Sequence, residues 1–176
     1  MFLFISLCDF LRSLYVYLTI ARCSVVTKYQ LMPFIKVYIH FVWSTKNREP
    51  FLDSKELRQK VWQHIRENAK EKEIFIDCVN GYFDHCHCLI SLSMDQTIQK
   101  TMQLIKGESS FWINKNGFTK NKFEWQDEYF AVSVSESAIE NVRNYIKNQE
   151  EHHKTKTFQA DLNELIRKYG FRRFKG

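Results

Sequence analysis

The chain has 176 residues, a formal net charge of +6 and an aromatic content of 15%. Glycine and proline are scarce, with 5 and 2 residues, so the composition indicates one globular domain and excludes a low-complexity chain. The basic balance favours a polyanionic partner. The five cysteines are odd in number and lack a CxxC spacing, which argues against a disulfide framework or a zinc knuckle. A reducing, cytoplasmic compartment fits them best.

The first 31 residues differ from the rest of the chain. Residues 2–20 are strongly apolar, but Asp9 and Arg12 interrupt them and no positive charge precedes them. A secretory signal needs positive charge first, and a membrane span needs about 20 residues with few charges. We therefore interpret residues 1–31 as an N-terminal extension upstream of a start at Met32, with an apolar segment as the alternative, and expect no membrane anchor.

The elements after Met32 begin with a strand over residues 34–45, in which apolar residues alternate. Asp53 followed by Glu56 predicts a capping box at the start of a helix over residues 54–71. Alternation and β-branched residues predict three further strands, at residues 74–82, 85–92 and 129–134. Apolar residues at helical spacing predict three further helices, at residues 97–115, from 135 onward and at 158–169.

This order is the split βαβ pattern, so we predict an α+β, ferredoxin-like fold: one antiparallel sheet with helices on one face. The predicted domain covers residues 32–157, and residues 158–176 form a helical tail. The fold serves many functions, so the function must be argued from the site.

Two histidines lie two residues apart in the predicted strand at 85–92. Because side chains alternate along a strand, His85 and His87 share one face, while Cys86 and Cys88 point to the other with the apolar residues. Two imidazoles on a rigid strand can hold one cation. The alternative is a pair of surface histidines, since this spacing alone is a weak signal.

Tyr145 and Gln149 lie four residues apart on a predicted helix, hence on one face. Tyr145 alone is typical of a packed core residue, but a buried amide needs polar partners. With two neutral histidines, the amide oxygen makes a mixed nitrogen and oxygen site that suits Mg²⁺ or Mn²⁺. Such an ion can polarise a phosphate that a nearby tyrosine attacks. We interpret His152 and His153 as solvated residues at the helix end.

With their flanks, these residues resemble the single-tyrosine transposases of the His-hydrophobic-His (HUH) type, which are IS200-like insertion-sequence transposases and their REP-associated relatives. The similarity covers about residues 32–170, through the segments WSTKNREP, DHCHCLISL, LIKGESSFWINK, YFAVSVSES and NYIKNQEEHH. Cys86 stands where an aliphatic residue is usual, and we expect it to be buried and harmless. Residues 1–31 lie outside the pattern.

The resemblance implies a metal-dependent endonuclease and strand transferase that acts on single-stranded DNA in transposition. His85, His87 and Gln149 would bind Mg²⁺ or Mn²⁺, and Tyr145 would become linked to a DNA 5′-phosphate. The implied partners are single-stranded DNA with hairpin ends and a second copy of the chain, with no small-molecule substrate; the implied location is the cytoplasm, at the nucleoid during action. The candidate phosphate-binding residues are Lys46, Arg48, Lys106, Arg143 and Lys147.

A non-catalytic, RRM-like nucleic-acid-binding module on the same fold is the alternative from another class. It would need exposed aromatic residues on the sheet, for which Tyr38 and Phe83 are the candidates, and would not need a metal. A relaxase-like initiator of replication or transfer is a third possibility, although those proteins usually carry larger accessory domains. A divalent-ion binding assay separates the first two alternatives.

Overall fold

The computed structural model describes residues 34–171. The extension predicted over residues 1–31, the start at Met32 and residues 172–176 lie outside the described residues. The residues described from Lys36 onward belong to one compact unit. No helix within this part of the chain is both long enough and apolar enough to cross a membrane.

Four strands and five α-helices make up residues 34–171. The strands are β1 (Val37–Ser44), β2 (Phe75–Gly81), β3 (His85–Leu92) and β4 (Phe130–Val134). The helices are α1 (Lys55–Glu71), α2 (Ile98–Lys115), α3 (Ile139–Lys147), α4 (Gln149–Thr155) and α5 (Phe158–Lys168). Every predicted strand and helix is present, with ends that differ by a few residues at most, except that the helix predicted from residue 135 is divided.

The strands form one sheet in the order β2-β3-β1-β4, and every neighbouring pair is antiparallel. The predicted α+β, ferredoxin-like class is confirmed. β3 lies between β2 and β1, so His87 is opposite Val42 of β1 and Asn80 of β2. This central position gives the two histidines of β3 a backbone that is hydrogen-bonded on both sides.

The helices lie in two layers. α1 and α2 pack on the face that carries Phe41, Trp43, Cys86 and Cys88, and this face holds the main hydrophobic core. The prediction of helices on one face therefore holds for these two. The C-terminal helices cover the opposite face, where α3 and α5 pack on apolar residues that include Val42 and Leu89. β1 and β3 carry apolar side chains on both faces, which explains why both faces are covered.

Two local predictions need correction. α1 is capped by Ser54, whose Oγ accepts a hydrogen bond from the Leu57 amide at 3.1 Å, and not by Asp53. The helix predicted to run through Tyr145 and Gln149 ends at Lys147 and restarts at Gln149, because Asn148 leaves the helical conformation with φ −95° and ψ 18°. The interruption is a single residue, so Tyr145 and Gln149 remain about one turn apart.

Candidate metal and nucleophile site

The two histidines of β3 point from the sheet towards the C-terminal helices, and both are 0% exposed. His85 Nδ1 lies 2.6 Å from Asp84 Oδ1, and the His85 ring stacks on the Phe158 ring of α5 with 4.2 Å between centroids. The carboxylate accepts the Nδ1 proton, which leaves the Nε2 lone pair of His85 free. A carboxylate behind the imidazole is the usual arrangement for a metal-binding histidine.

His87 lies beside His40 of β1, with 3.2 Å between His87 Nδ1 and His40 Nε2. Burial, and then the nearby His85, lower the pKa of His87 well below its usual value, so its imidazole is neutral. His87 Nε2 is buried and has no hydrogen-bond partner among residues 34–171. A buried polar atom without a partner is unfavourable unless a ligand completes it.

Gln149 is fully buried at the start of α4. Its Nε2 donates to the Tyr145 carbonyl at 3.2 Å, which turns the amide oxygen towards the histidines. Oε1 then lies 3.4 Å from His85 Nε2 and 3.0 Å from His153 Nε2. The structure therefore brings His85, His87 and Gln149, which were predicted as a group, to one place.

The interpretation of His152 and His153 as solvated residues is wrong, because both are half-buried. His153 belongs to this cluster, and its Nδ1 donates to the Lys156 carbonyl at 2.8 Å. α4 continues beyond Gln149, so His153 lies one turn later on the same face of that helix. The spacing of four residues from Tyr145 to Gln149 to His153 was the sequence signal that could have identified it.

The donor atoms fit a divalent cation. The available nitrogens of His85, His87 and His153 all lie within 4.8 Å of one another. His85 and His153 each use Nδ1 as a donor, so their Nε2 lone pairs face the Gln149 oxygen, which is also an acceptor. Acceptors that converge in a buried space repel one another unless a proton or a cation lies between them.

Tyr145 lies beside the cluster on α3. Its ring meets the His87 ring edge-on, with 5.4 Å between centroids, and its hydroxyl donates to a carboxylate oxygen of Asp161 in α5. Burial, and then the hydrogen bond to Asp161, raise the pKa of Tyr145, so the phenol is protonated. The predicted nucleophile and the predicted ligands therefore meet within one chain.

The five basic residues predicted to bind phosphate do not occupy one common place. Lys46 and Lys106 line one groove and share Asp127: Lys46 forms an ion pair with its carboxylate at 3.2 Å, and Lys106 donates to its carbonyl at 2.8 Å. Arg48 lies over the Phe158 ring and donates to Gln159 of α5.

The remaining two basic residues lie on α3 and differ in their partners. Arg143 forms ion pairs with Asp77 of β2 and Glu140 of its own helix. Lys147 is exposed at the helix end and has no ion pair within residues 34–171. Lys147 is therefore the more available of the two for an external phosphate.

The face of the sheet that an RRM-like module would use is covered. Tyr38 is half-buried against the cluster that α3 forms with the sheet, and Phe83 lies in the β2–β3 turn against Tyr82. Neither residue therefore offers a stacking platform on an open sheet face, which removes the structural basis of that alternative.

Most of the described residues match a known protein family. Residues 34–149, more than half of the chain, match the family described as "Transposase IS200 like". The chain belongs to the IS200-like transposase family. The matched segment of this transposase begins just before β1 and ends at Gln149. A comparison with curated proteins gives no significant match.

Solved structures share the fold. A candidate transposase from Deinococcus radiodurans R1 matches with a TM-score of 0.54 and 22% identity, over 66% of this chain and 93% of that one. A REP-associated tyrosine transposase bound to a REP hairpin matches with a TM-score of 0.52 and 16% identity, over 71% of this chain and 73% of that one. At these identities the likeness concerns the fold.

Proposed function

We propose that this transposase cuts and rejoins single-stranded DNA through a covalent bond between Tyr145 and a DNA 5′-phosphate. The observation that carries the proposal is the position of the tyrosine beside buried lone pairs. The Tyr145 ring is 5.4 Å from the His87 ring, whose Nε2 has no partner among the described residues. His85 Nε2 and Gln149 Oε1 face each other at 3.4 Å in the same space.

His85, His87 and Gln149 are the proposed ligands of a divalent ion, and His153 is a fourth. When bound, the ion would polarise the scissile phosphate and offset its negative charge. All four side chains are uncharged ligands, so they do not offset the positive charge of the ion, which can then act on the DNA phosphate. Imidazole nitrogens suit transition metals better than they suit Mg²⁺, so this donor set favours Mn²⁺ over Mg²⁺.

The proposed substrate is single-stranded DNA with hairpin ends. Membership of the transposase family supports a DNA substrate, and the structural relative bound to a REP hairpin supports the hairpin. The net charge of +6 favours a polyanion. The groove lined by Lys46 and Lys106 also contains the exposed Tyr129, a combination suited to phosphates and an unpaired base.

The proposed assembly is a homodimer. β2 and β4 are the edge strands of the sheet, and β4 lies beside β1 alone within residues 34–171. An edge strand with unpaired amides and carbonyls can be covered by a second copy of the chain. Because the ligands and Tyr145 meet in one chain, the second copy is not needed to complete the site. Size-exclusion chromatography with light scattering tests the dimer directly.

The decisive experiment is a search for the covalent adduct. The protein is incubated with Mn²⁺ and single-stranded DNA from the flanks of its own gene, and SDS-resistant protein–DNA species are separated on a gel. The wild-type chain is expected to form the adduct. Tyr145→Phe removes only the hydroxyl, so it should bind the hairpin but form no adduct, and His87→Ala should also be inactive. Cleavage by pure Tyr145→Phe protein would exclude the proposed chemistry.

A further inference from the structure

Asp161 is a buried carboxylate on α5 that directly contacts the Tyr145 hydroxyl. It is 3% exposed, and its two oxygens accept hydrogen bonds from three side chains. One oxygen accepts from Tyr145; the other accepts from His152 Nε2 at 2.9 Å and Lys156 Nζ at 3.2 Å. A buried carboxylate with this many donors is held in one orientation.

The surroundings keep Asp161 charged. Burial alone acts to raise the pKa of its carboxyl group, but the hydrogen bonds from Tyr145, His152 and Lys156 outweigh burial and lower it. The resting pair is therefore a phenol that donates its hydrogen bond to an ionised carboxylate.

We infer that Asp161 is a catalytic residue that positions the Tyr145 hydroxyl and accepts its proton during DNA cleavage. The inference rests on the proposed function of Tyr145 as the nucleophile. As the phenol oxygen forms a bond to phosphorus, its proton moves to the Asp161 carboxylate. The bond from phosphorus to the 3′-oxygen of the departing strand breaks, and that oxygen takes a proton from water. Rejoining reverses each of these transfers.

The direct hydrogen bond from the phenol to the buried carboxylate is compatible with this role. A phenol is a much weaker acid than a carboxylic acid, so the Tyr145 proton stays on its own oxygen before DNA arrives. As the phenol oxygen bonds to phosphorus, its electron density falls and its proton becomes far more acidic, so transfer to the carboxylate becomes favourable during the attack. A positioned base of this kind typically contributes about 10²- to 10⁴-fold to a rate.

The test is the single-turnover cleavage rate of Asp161→Asn. Asparagine keeps the size of the side chain and an oxygen that can accept from Tyr145, but it cannot take the proton. Adduct formation should slow by about 10²- to 10⁴-fold, with hairpin affinity unchanged. Religation from an adduct accumulated over a long incubation should slow by a similar factor, because the same proton must return. The matched control is Glu164→Gln, an exposed residue of α5 that also binds Lys156 and should cleave at the wild-type rate.

The outcomes separate this inference from the proposed function. An Asp161→Asn protein that cleaves as fast as the wild type would overturn the role of Asp161. If Tyr145→Phe is inactive in the same assay, the proposed role of Tyr145 as the nucleophile still stands. A faster Asp161→Asn would show that the contact restrains the tyrosine, and would also overturn the inference. If Asp161→Asn fails to fold, the length-matched pair Asp161→Glu and Asp161→Gln replaces it: the glutamate variant must be the faster, and equal rates would refute the base.

Discussion

Gln149 Oε1 and His153 Nε2 lie 3.0 Å apart across one turn of α4. Gln149 Nε2 donates to the Tyr145 carbonyl and His153 Nδ1 donates to the Lys156 carbonyl, so Oε1 and Nε2 each keep a free lone pair. This relationship makes His153 a fourth proposed ligand in addition to the three that the sequence predicted. Both atoms come from the same short helix, so binding an ion between them requires little rearrangement of the chain.

Replacing His153 therefore tests the composition of the proposed metal site. His153→Ala should weaken Mn²⁺ binding at least as much as the loss of an outer-shell partner does, about 10- to 100-fold. Isothermal titration calorimetry on metal-stripped protein measures this affinity. Lys154→Ala, an exposed neighbour on the same helix, is the control and should bind normally. Wild-type affinity in His153→Ala would assign that residue a structural role.

Gly81 allows a close approach of β2 to His85, the first of the proposed metal-binding histidines. A Cβ at Gly81 would lie 2.2 Å from the His85 carbonyl oxygen and 2.9 Å from Cys86 Cα, and backbone atoms cannot yield as a side chain can. Gly81→Ala should lower the free energy of unfolding by about 1–3 kcal/mol, as overpacking does, and should weaken metal binding as His85 shifts. Denaturant unfolding and calorimetry measure the two effects.

Gly107 provides a matched control for that substitution. It lies within α2, and a Cβ there would meet nothing within 4 Å. Gly107→Ala should raise the free energy of unfolding by about 0.5–1 kcal/mol, because alanine is the better helix former, and leave metal affinity unchanged. Equal losses of stability and metal affinity in Gly81→Ala and Gly107→Ala would show that the close backbone approach at Gly81 is not the cause.

Lys147 and Arg143 should respond differently to substitution although both lie on α3. Lys147→Ala should weaken hairpin binding and reduce the slope of log affinity against log salt by about one, as expected for one lost phosphate contact. Arg143→Gln removes a partly exposed ion pair with Asp77, so its main effect should be a small loss of stability and not a loss of DNA affinity. Binding titrations at several salt concentrations distinguish them, and an unchanged salt slope in Lys147→Ala would remove it from the interface.

Mixing two inactive variants tests whether each chain uses its own tyrosine. Tyr145→Phe chains are combined with His87→Ala chains, unfolded together and refolded so that mixed dimers form. Because Tyr145 lies beside His87 of the same chain, every mixed dimer pairs two broken sites and should stay inactive. Recovered cleavage would mean that the tyrosine helix serves the partner's histidines. Wild-type chains mixed with Tyr145→Phe chains provide the positive control.

The sequence predicts the sheet well because each strand has a recognisable local pattern of residues. Alternation along residues 85–92 was enough to place His85 and His87 on one face and Cys86 and Cys88 on the other, and the structure confirms that division. The covering of both sheet faces was harder to predict. It depends on where α3 and α5 return to the sheet, which is a tertiary property that no single segment encodes.

The site was only partly predictable for a related reason. Tyr145 and Gln149 were identified through helical spacing and the family resemblance, whereas His153 was interpreted as solvated and no role was predicted for Asp161. Their roles depend on partners distant in sequence: Asp161 meets Tyr145 from a different helix, and His153 meets His85 from a different secondary-structure element. Helical spacing could have indicated His153, but the contact between Asp161 and Tyr145 becomes visible only when the chain is folded.

The Phe158 ring, stacked on His85, has a further consequence for the electric field at the site. It shields one side of the imidazole from water, and it comes from α5, beyond the segment shared with the family, which ends at Gln149. Charges interact more strongly where water is excluded. A chain shortened after Gln149 would keep three of the proposed ligands but would lose this shielding from water. Solvent would then screen the attraction between the ion and the phosphate.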